Sequence, residues 1–348
     1  MRLLITGITG FVGSHMAEYA LSHGAEVFGS ARWRSQTENI EHIRAKVRLV
    51  ECELRDAVSV RRLLEITAPT HVIHLAGQSF VGTSWHAPAE TLSTNIVCQL
   101  NLLEEIRALK IAPRFLVIGT SEEYGFVRPD EMPIAETNPL RPLSPYGVSK
   151  VTQDIMGYQY FKSYGLPIVR ARAFNHEGPR RGEVFVTSNF AKQVAEIEAG
   201  LREPTIFVGD LKPTRDYSDV RDIVRGYWRL LEQGEPGEVY NLCSGRSWAI
   251  QQVLDFFLVQ SRVKHISVLS EPARLRPSDV MALEGDPSKI RKATGWETEI
   301  AFEQTLADLL EFWRQRIRPA SSMTPRRPPP LQSARRYNAG SDVTQHLS

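Results

Sequence analysis

Between a first apolar run at residues 3–5 and an amphipathic stretch at 11–22, the chain places three glycines at a spacing of three: Thr6-Gly7-Ile8-Thr9-Gly10-Phe11-Val12-Gly13. A strand that turns straight into a helix leaves the first helical N–H groups free and a partial positive charge at that end. Glycine lets the backbone turn tightly and approach a bound pyrophosphate. The pattern predicts a dinucleotide-binding strand–turn–helix with contacts from Gly7, Thr9, Gly10, Phe11, Val12 and Gly13.

Further strand-length apolar runs follow at 27–28, 47–50, 71–75, 115–118 and 168–171, alternating with helical patterns at 58–66, 89–109 and 149–164. Near-continuous apolar strands alternating with helices predict an α/β fold, a Rossmann-type doubly wound parallel sheet covered on both faces. The alternation loosens after Ala173 into a Gly/Pro/Arg-rich segment at 175–182, and 239–242 reads as a strand returning to the sheet. The expected division is a cofactor-binding domain from 1–174 plus about 206–243. A smaller, discontinuous C-terminal substrate-binding domain would come from about 175–205 and 244–318.

The end of the second strand selects between nicotinamide cofactors. An acid there would bond the ribose 2′-OH, whereas arginines take a 2′-phosphate. Arg32 and Arg34, followed by Ser35, stand at that point and predict NADP.

A dehydrogenase of this kind needs a base for a hydroxyl proton. An unperturbed tyrosine has a pKa near ~10, so it works near neutrality only beside a cation, and a lysine four residues on along a helix supplies one. Tyr146…Lys150 fits that spacing, and so does Tyr158…Lys162. Context separates them. Tyr146 follows Ser144-Pro145 at a helix start, 26 residues after Thr120 at the end of the fifth strand, while Tyr158 sits mid-helix among aromatics. The run Thr120-Ser121-Glu122-Glu123-Tyr124-Gly125 adds a carboxylate two residues beyond the threonine. Simple hydride transfer does not need it. Elimination does: oxidation at C4 of a sugar acidifies the C5 proton, and Glu122 would take it.

The glycine spacing, Thr120 and the Tyr146/Lys150 pair together resemble the extended short-chain dehydrogenase/reductases. Within that branch, nearly all of 1–316 is similar to the GDP-mannose 4,6-dehydratases and their relatives, the GDP-4-keto-6-deoxy-mannose reductases. The residues that carry the likeness are Thr120 to Gly125, Arg141 to Tyr146, Phe174 to Glu183, Phe185-Val186-Thr187, Arg215-Asp216-Tyr217 and Arg276-Pro277-Ser278-Asp279-Val280. The resemblance implies cofactor contacts from Glu53, Leu54, Leu75, Ala76 and Gln78, beside Tyr146 and Lys150. It implies a GDP-sugar site formed by Ser79, Thr120, Glu122, Asn175, Val186, Arg215, Arg276 and Asp279. It also implies a homodimer or homotetramer.

The motifs split between the two subfamilies. Thr120, Gln78-Ser79 and the stretch from Arg180 to Glu183 look like dehydratases, whereas the run from Ser188 to Gln193 looks like the reductases. The balance favours conversion of GDP-D-mannose to GDP-4-keto-6-deoxy-D-mannose with NADP recycled internally. The alternatives are NADPH-dependent reduction of that keto sugar, or an epimerase or dehydratase acting on another nucleotide sugar. A non-catalytic NADP-binding module is the reading outside enzymes, and the intact Thr120/Tyr146/Lys150 set argues against it.

Charge sharpens where function is to be sought. The formal net charge is +2, but residues 319–348 hold four arginines against one aspartate, so the remainder carries −1. A near-neutral body predicts no nucleic-acid partner. Five of the 21 prolines fall in that same tail, which reads as a disordered extension. No apolar run approaches the ~20 residues of a membrane span. Cys52, Cys98 and Cys243 lie far apart and match no metal-ligand spacing, so no metal and a reducing, cytoplasmic setting are expected.

Overall fold

The computed structural model describes residues 1–272 and 280–317. Arg276, Asp279 and the 319–348 tail lie outside the described residues.

Seven parallel strands form the main sheet. They are β1 (Arg2–Thr6), β2 (Glu26–Ala31), β3 (Arg48–Glu51), β4 (His71–His74), β5 (Arg114–Thr120), β6 (Ile168–Ala173) and β10 (Val239–Leu242), in the order β10-β6-β5-β4-β1-β2-β3. The order reverses at β1, which pairs with β2 on one side and β4 on the other. That switch point opens a crevice at the carboxyl ends of the strands, where open α/β sheets bind ligands.

Alternate residues of each strand feed opposite cores. Leu3, Ile5, Leu116 and Ile118 face α1 (Phe11–Ser22) and α7 (Val220–Gln233), whereas Leu4, Phe115 and Val117 face α2 (Ala57–Thr67), α4 (Pro88–Ala108) and α5 (Pro145–Tyr164). Short α3 (Val81–His86) precedes α4. The start of α5 is fixed locally. Ser144 accepts the Gly147 N–H at 3.0 Å, and Pro145 occupies the first helical position, where a missing N–H costs nothing.

A second body of structure is built from α6 (Val186–Glu198), α8 (Ile250–Gln260) and α10 (Phe302–Arg316), with the short α9 (Ser288–Thr294) lying against β10. Phe190, Val194, Leu254, Phe257, Leu306 and Leu310 make its core. Here β8 (Thr205–Val208) pairs with β12 (Ser267–Ser270), and β9 (Thr214–Asp219) pairs with β7 (Asn175–Glu177), β11 (Ser247–Ala249) and β13 (Ala282–Leu283). The strands therefore divide the span 206–243: α7 and β10 join the large sheet, while β8 and β9 pair elsewhere.

β9 carries no apolar period to be read. Arg215, Asp216, Ser218 and Asp219 are all buried along it. Asp216 is satisfied by the N–H groups of Ser244, Gly245 and Gly285, and Asp219 by Arg221 and Thr305. The strand is held by carboxylate–donor bonds, where buried polar groups must find partners.

Candidate active site

The glycine turn at the end of β1 has a reason at each position. Gly7 adopts φ +71°, and a Cβ there would lie 2.9 Å from the Ala76 nitrogen. The Gly10 N–H closes the turn onto the Gly7 carbonyl at 3.0 Å. At Gly13 a Cβ would strike the Gly7 carbonyl oxygen and come within 2.8 Å of Ile8 Cα. No side chain caps the first turn of α1. The N–H groups after Gly10 thus end in a concave, electropositive cradle that fits a dinucleotide pyrophosphate. Gly13→Ala is expected to cost roughly 1–3 kcal/mol or more of stability, because the clash is with backbone. It should also abolish dinucleotide binding; urea titration and cofactor fluorescence read the two effects.

Arg32, Trp33, Arg34 and Ser35 line an open cavity of about 290 Å³ with Glu51 and Glu53. The Arg34 guanidinium lies 4.1 Å from the centre of the Trp33 ring, and Glu53 is engaged by Arg55 at 3.3 Å. Leu54 is buried in the core. Ala76 donates its N–H to Thr6 Oγ1 at 3.1 Å, next to the partly buried Leu75. The Gln78 amide donates to the Phe80 carbonyl of its own turn at 3.0 Å and to Thr91 of α4 at 3.1 Å, so it shapes the loop that carries exposed Ser79.

Thr120 ends β5 and Tyr146 opens α5. Two contacts bring them together. A Cβ on Gly147 would lie 2.8 Å from the Glu122 carbonyl, so this glycine lets the 120–123 turn sit against the first turn of α5. That packing sets the Thr120 side chain beside the Tyr146 phenol. Burial and the Glu122 carboxylate hold that phenol above the usual tyrosine range, while Thr120 beside it pulls it down. Glu122 thus adds negative charge near the phenol. One turn along α5, Lys150 is buried and donates to the Ile118 carbonyl at 2.9 Å. Burial lowers its pKa to about 8. Tyr158 is 42% exposed on the outer side of α5, with Lys162 5.6 Å from its ring centre.

The strand pairings bring the second body to this point. Thr120 pairs with Ala173, and two residues on, Asn175 opens β7 and pairs with Tyr217 of β9. Arg215 lies two residues before Tyr217, buried, with one guanidinium nitrogen on the Thr214 carbonyl at 2.9 Å. Val186 begins α6.

Two groups stand near Tyr146 that the sequence motifs contained but did not assign to the site, Arg181 and Glu123. Arg181 is stacked 3.4 Å from the centre of Phe185 and 5.1 Å from that of Phe11, and its Nε lies 3.4 Å from Glu177. Its charge favours the Tyr146 phenolate. Arg180 beside it has φ +75° and is held by Glu18 at 2.8 Å. The signal was contiguity, since both arginines continue the 174–179 run that follows β6.

Comparison with known proteins agrees with this architecture. The sequence model described as GDP-mannose 4,6 dehydratase matches residues 4–309. The GDP-6-deoxy-D-mannose reductase of Pseudomonas aeruginosa is 34% identical, over 91% of this chain and 98% of that protein. The GDP-mannose 4,6-dehydratase of Vibrio cholerae is 33% identical, over 88% of this chain and 92% of that one. The solved structure of RMD from Pseudomonas aeruginosa complexed with NADPH superimposes with a TM-score of 0.77 at 31% identity, covering 90% of this chain and 98% of that chain. The chain that builds this glycine turn and this threonine–tyrosine contact belongs to the GDP-mannose 4,6 dehydratase family.

Proposed function

We propose that the protein is a GDP-mannose 4,6-dehydratase, a lyase that converts GDP-D-mannose to GDP-4-keto-6-deoxy-D-mannose and recycles NADP within each turnover. The observation that supports this reading is the meeting of Thr120, at the end of β5, with Tyr146 and buried Lys150 of α5, with Glu122 on the turn packed against that helix start as the base an elimination requires. The resemblance gives the reductases a glutamate in the same run, so Glu122 alone does not separate the two activities. Bound in the glycine cradle, the nicotinamide cofactor would accept hydride from C4 and return it to C6. Gly10, Phe11 and Val12 would hold its pyrophosphate through backbone N–H groups, and Arg32, Arg34 and Ser35 its 2′-phosphate.

Tyr146 takes the C4 hydroxyl proton and Thr120 holds the oxygen. Glu122 removes the C5 proton, which the new ketone acidifies, and the C6 hydroxyl leaves as water. The two protons taken, from the C4 hydroxyl and from C5, balance the one that completes the water and the one restored to C5. Asn175 and Arg215 would receive the GDP portion from β7 and β9, with Ser79 and Val186 along the sugar path. Gln78, Glu53 and Leu54 would frame the cofactor. On this reading the large sheet is the cofactor half, and the second body is the substrate half.

A second reading, reduction of the 4-keto sugar with NADPH, is favoured by the residues after Val186-Thr187. Ser188 is buried and accepts from Trp313 at 2.9 Å, and Asn189 donates to the Glu183 carbonyl at 3.1 Å, so neither presents charge to a substrate. GDP-mannose incubated with the purified protein and no added reductant is expected to give a keto product lighter by one water in mass spectrometry. Unchanged GDP-mannose, with NADPH oxidised only on adding the keto sugar, would establish the reductase instead.

An apolar row on the outside of α5 supports a homodimer or homotetramer: Val148, Ile155 and Tyr158 are 44%, 54% and 42% exposed. Among the described residues no helix is long and apolar enough to cross a membrane. The three cysteines are free and buried, which fits the reducing setting of the cytoplasm.

A further inference from the structure

Glu123 follows Glu122 in sequence but is buried, where Glu122 is only partly so. It is 0% exposed. Its Oε1 accepts the Thr120 backbone N–H at 2.8 Å, and that oxygen fills the space where Gly119 would carry a Cβ. Its Oε2 is different. It lies 3.2 Å from Arg172 Nε but takes no hydrogen bond. Asp154, on α5, takes that same Nε at 2.7 Å and pairs with Arg170 through its other oxygen. Arg172 spends another nitrogen on the Tyr124 hydroxyl and the Glu136 carbonyl, each at 3.1 Å. A buried carboxylate oxygen without a donor is costly. A proton on Oε2, donated to Asp154, removes that cost.

We infer that Glu123 serves this site as an uncharged carboxylic acid: a positioning residue that holds Thr120 through its backbone and hands a hydrogen bond to Asp154. The inference rests on the reading that Thr120, Tyr146 and Lys150 form the reacting set. Burial and the neighbouring Asp154 carboxylate push the Glu123 carboxyl well above the usual range, while Asp154, held by two arginines, stays low. The functional consequence is electrostatic. A charged Glu123 would oppose the Tyr146 phenolate in addition to Glu122, and a neutral one does not. The arrangement also runs along one face of α5: Tyr146, Lys150 and Asp154 follow at intervals of four, so the acid pair sits one turn behind the lysine.

The groups near Glu123 are Tyr146, Lys150 and Asp154 of α5, Arg172 of β6, and Thr120 and Tyr124 of its own segment, with Glu136 beyond Tyr124. The test uses the full chain loaded with NADP. An infrared difference spectrum between wild type and Glu123→Gln at neutral pH is expected to show loss of a carboxylic-acid C=O stretch. Glu123→Leu, which leaves the Thr120 N–H without an acceptor, should lower kcat about tenfold or more. Glu123→Gln keeps both hydrogen bonds and should bring kcat back to within about twofold of wild type, with the pH profile of kcat unmoved. Loss of carboxylate bands in place of the acid band would overturn the inference. So would a hundredfold fall in kcat for Glu123→Gln with fold and cofactor binding intact. If wild type failed to dehydrate GDP-mannose, the proposed function would fall while the infrared result still read the state of Glu123.

Discussion

Tyr146→Phe is expected to lower kcat on GDP-mannose by about a thousandfold while leaving the fold and the dinucleotide site in place. The phenol is 8% exposed and packed at the start of a capped helix, so phenylalanine fills the same space. What disappears is the group that takes the C4 hydroxyl proton. In the free protein that phenol keeps its proton at neutral pH, because burial and Glu122 disfavour the phenolate. The proton therefore has to leave as the site is completed. Lys150 and Arg181 are the cations placed to favour that loss. The measurement is product formation by mass, beside thermal melting and cofactor binding. A variant that keeps more than a tenth of wild-type kcat would remove Tyr146 from the proton path.

The large sheet was legible because its strands are written in Leu, Ile and Val, with Leu3, Leu116 and Val169 entering one core and Leu4, Val117 and Ile168 the other by simple alternation. The small sheet was not. β9 reads Thr-Arg-Asp-Tyr-Ser-Asp, and its stability comes from buried carboxylates bonded to N–H groups of distant loops, which no local period records. The site divides in the same way. Thr120, Tyr146 and Lys150 could be placed by spacing, since a strand end and one helical turn fix them. Of the two glutamates of the SEEYG run, spacing from Thr120 singled out Glu122 and left Glu123 without a role. Their separation needs Arg172 and Asp154, which arrive from β6 and α5 and claim Glu123. Arg181 was hidden for a similar reason: its place depends on Phe11 and Phe185, one from each body of the structure.

That separation makes Glu122→Gln the sharpest test of the lyase. It should reduce dehydration by about a thousandfold, within the range a single general base contributes. The fold should survive, because the bond that ties this turn to Thr120 comes from the Glu122 backbone N–H, at 3.3 Å, and not from the carboxylate. The first step should survive as well. Removing the carboxylate removes a charge that opposes the Tyr146 phenolate, so the phenolate that takes the C4 hydroxyl proton forms more readily. The lesion then falls at C5. In deuterated buffer, wild type should return product carrying one deuterium at C5, since the proton taken there is exchanged before it is restored. With Glu122→Gln, unreacted GDP-mannose should carry none, and product should be nearly absent. Full turnover with the usual C5 label would show that another group removes the proton. The elimination would then have to be sought among the neighbours of Arg181, and not on the turn after β5.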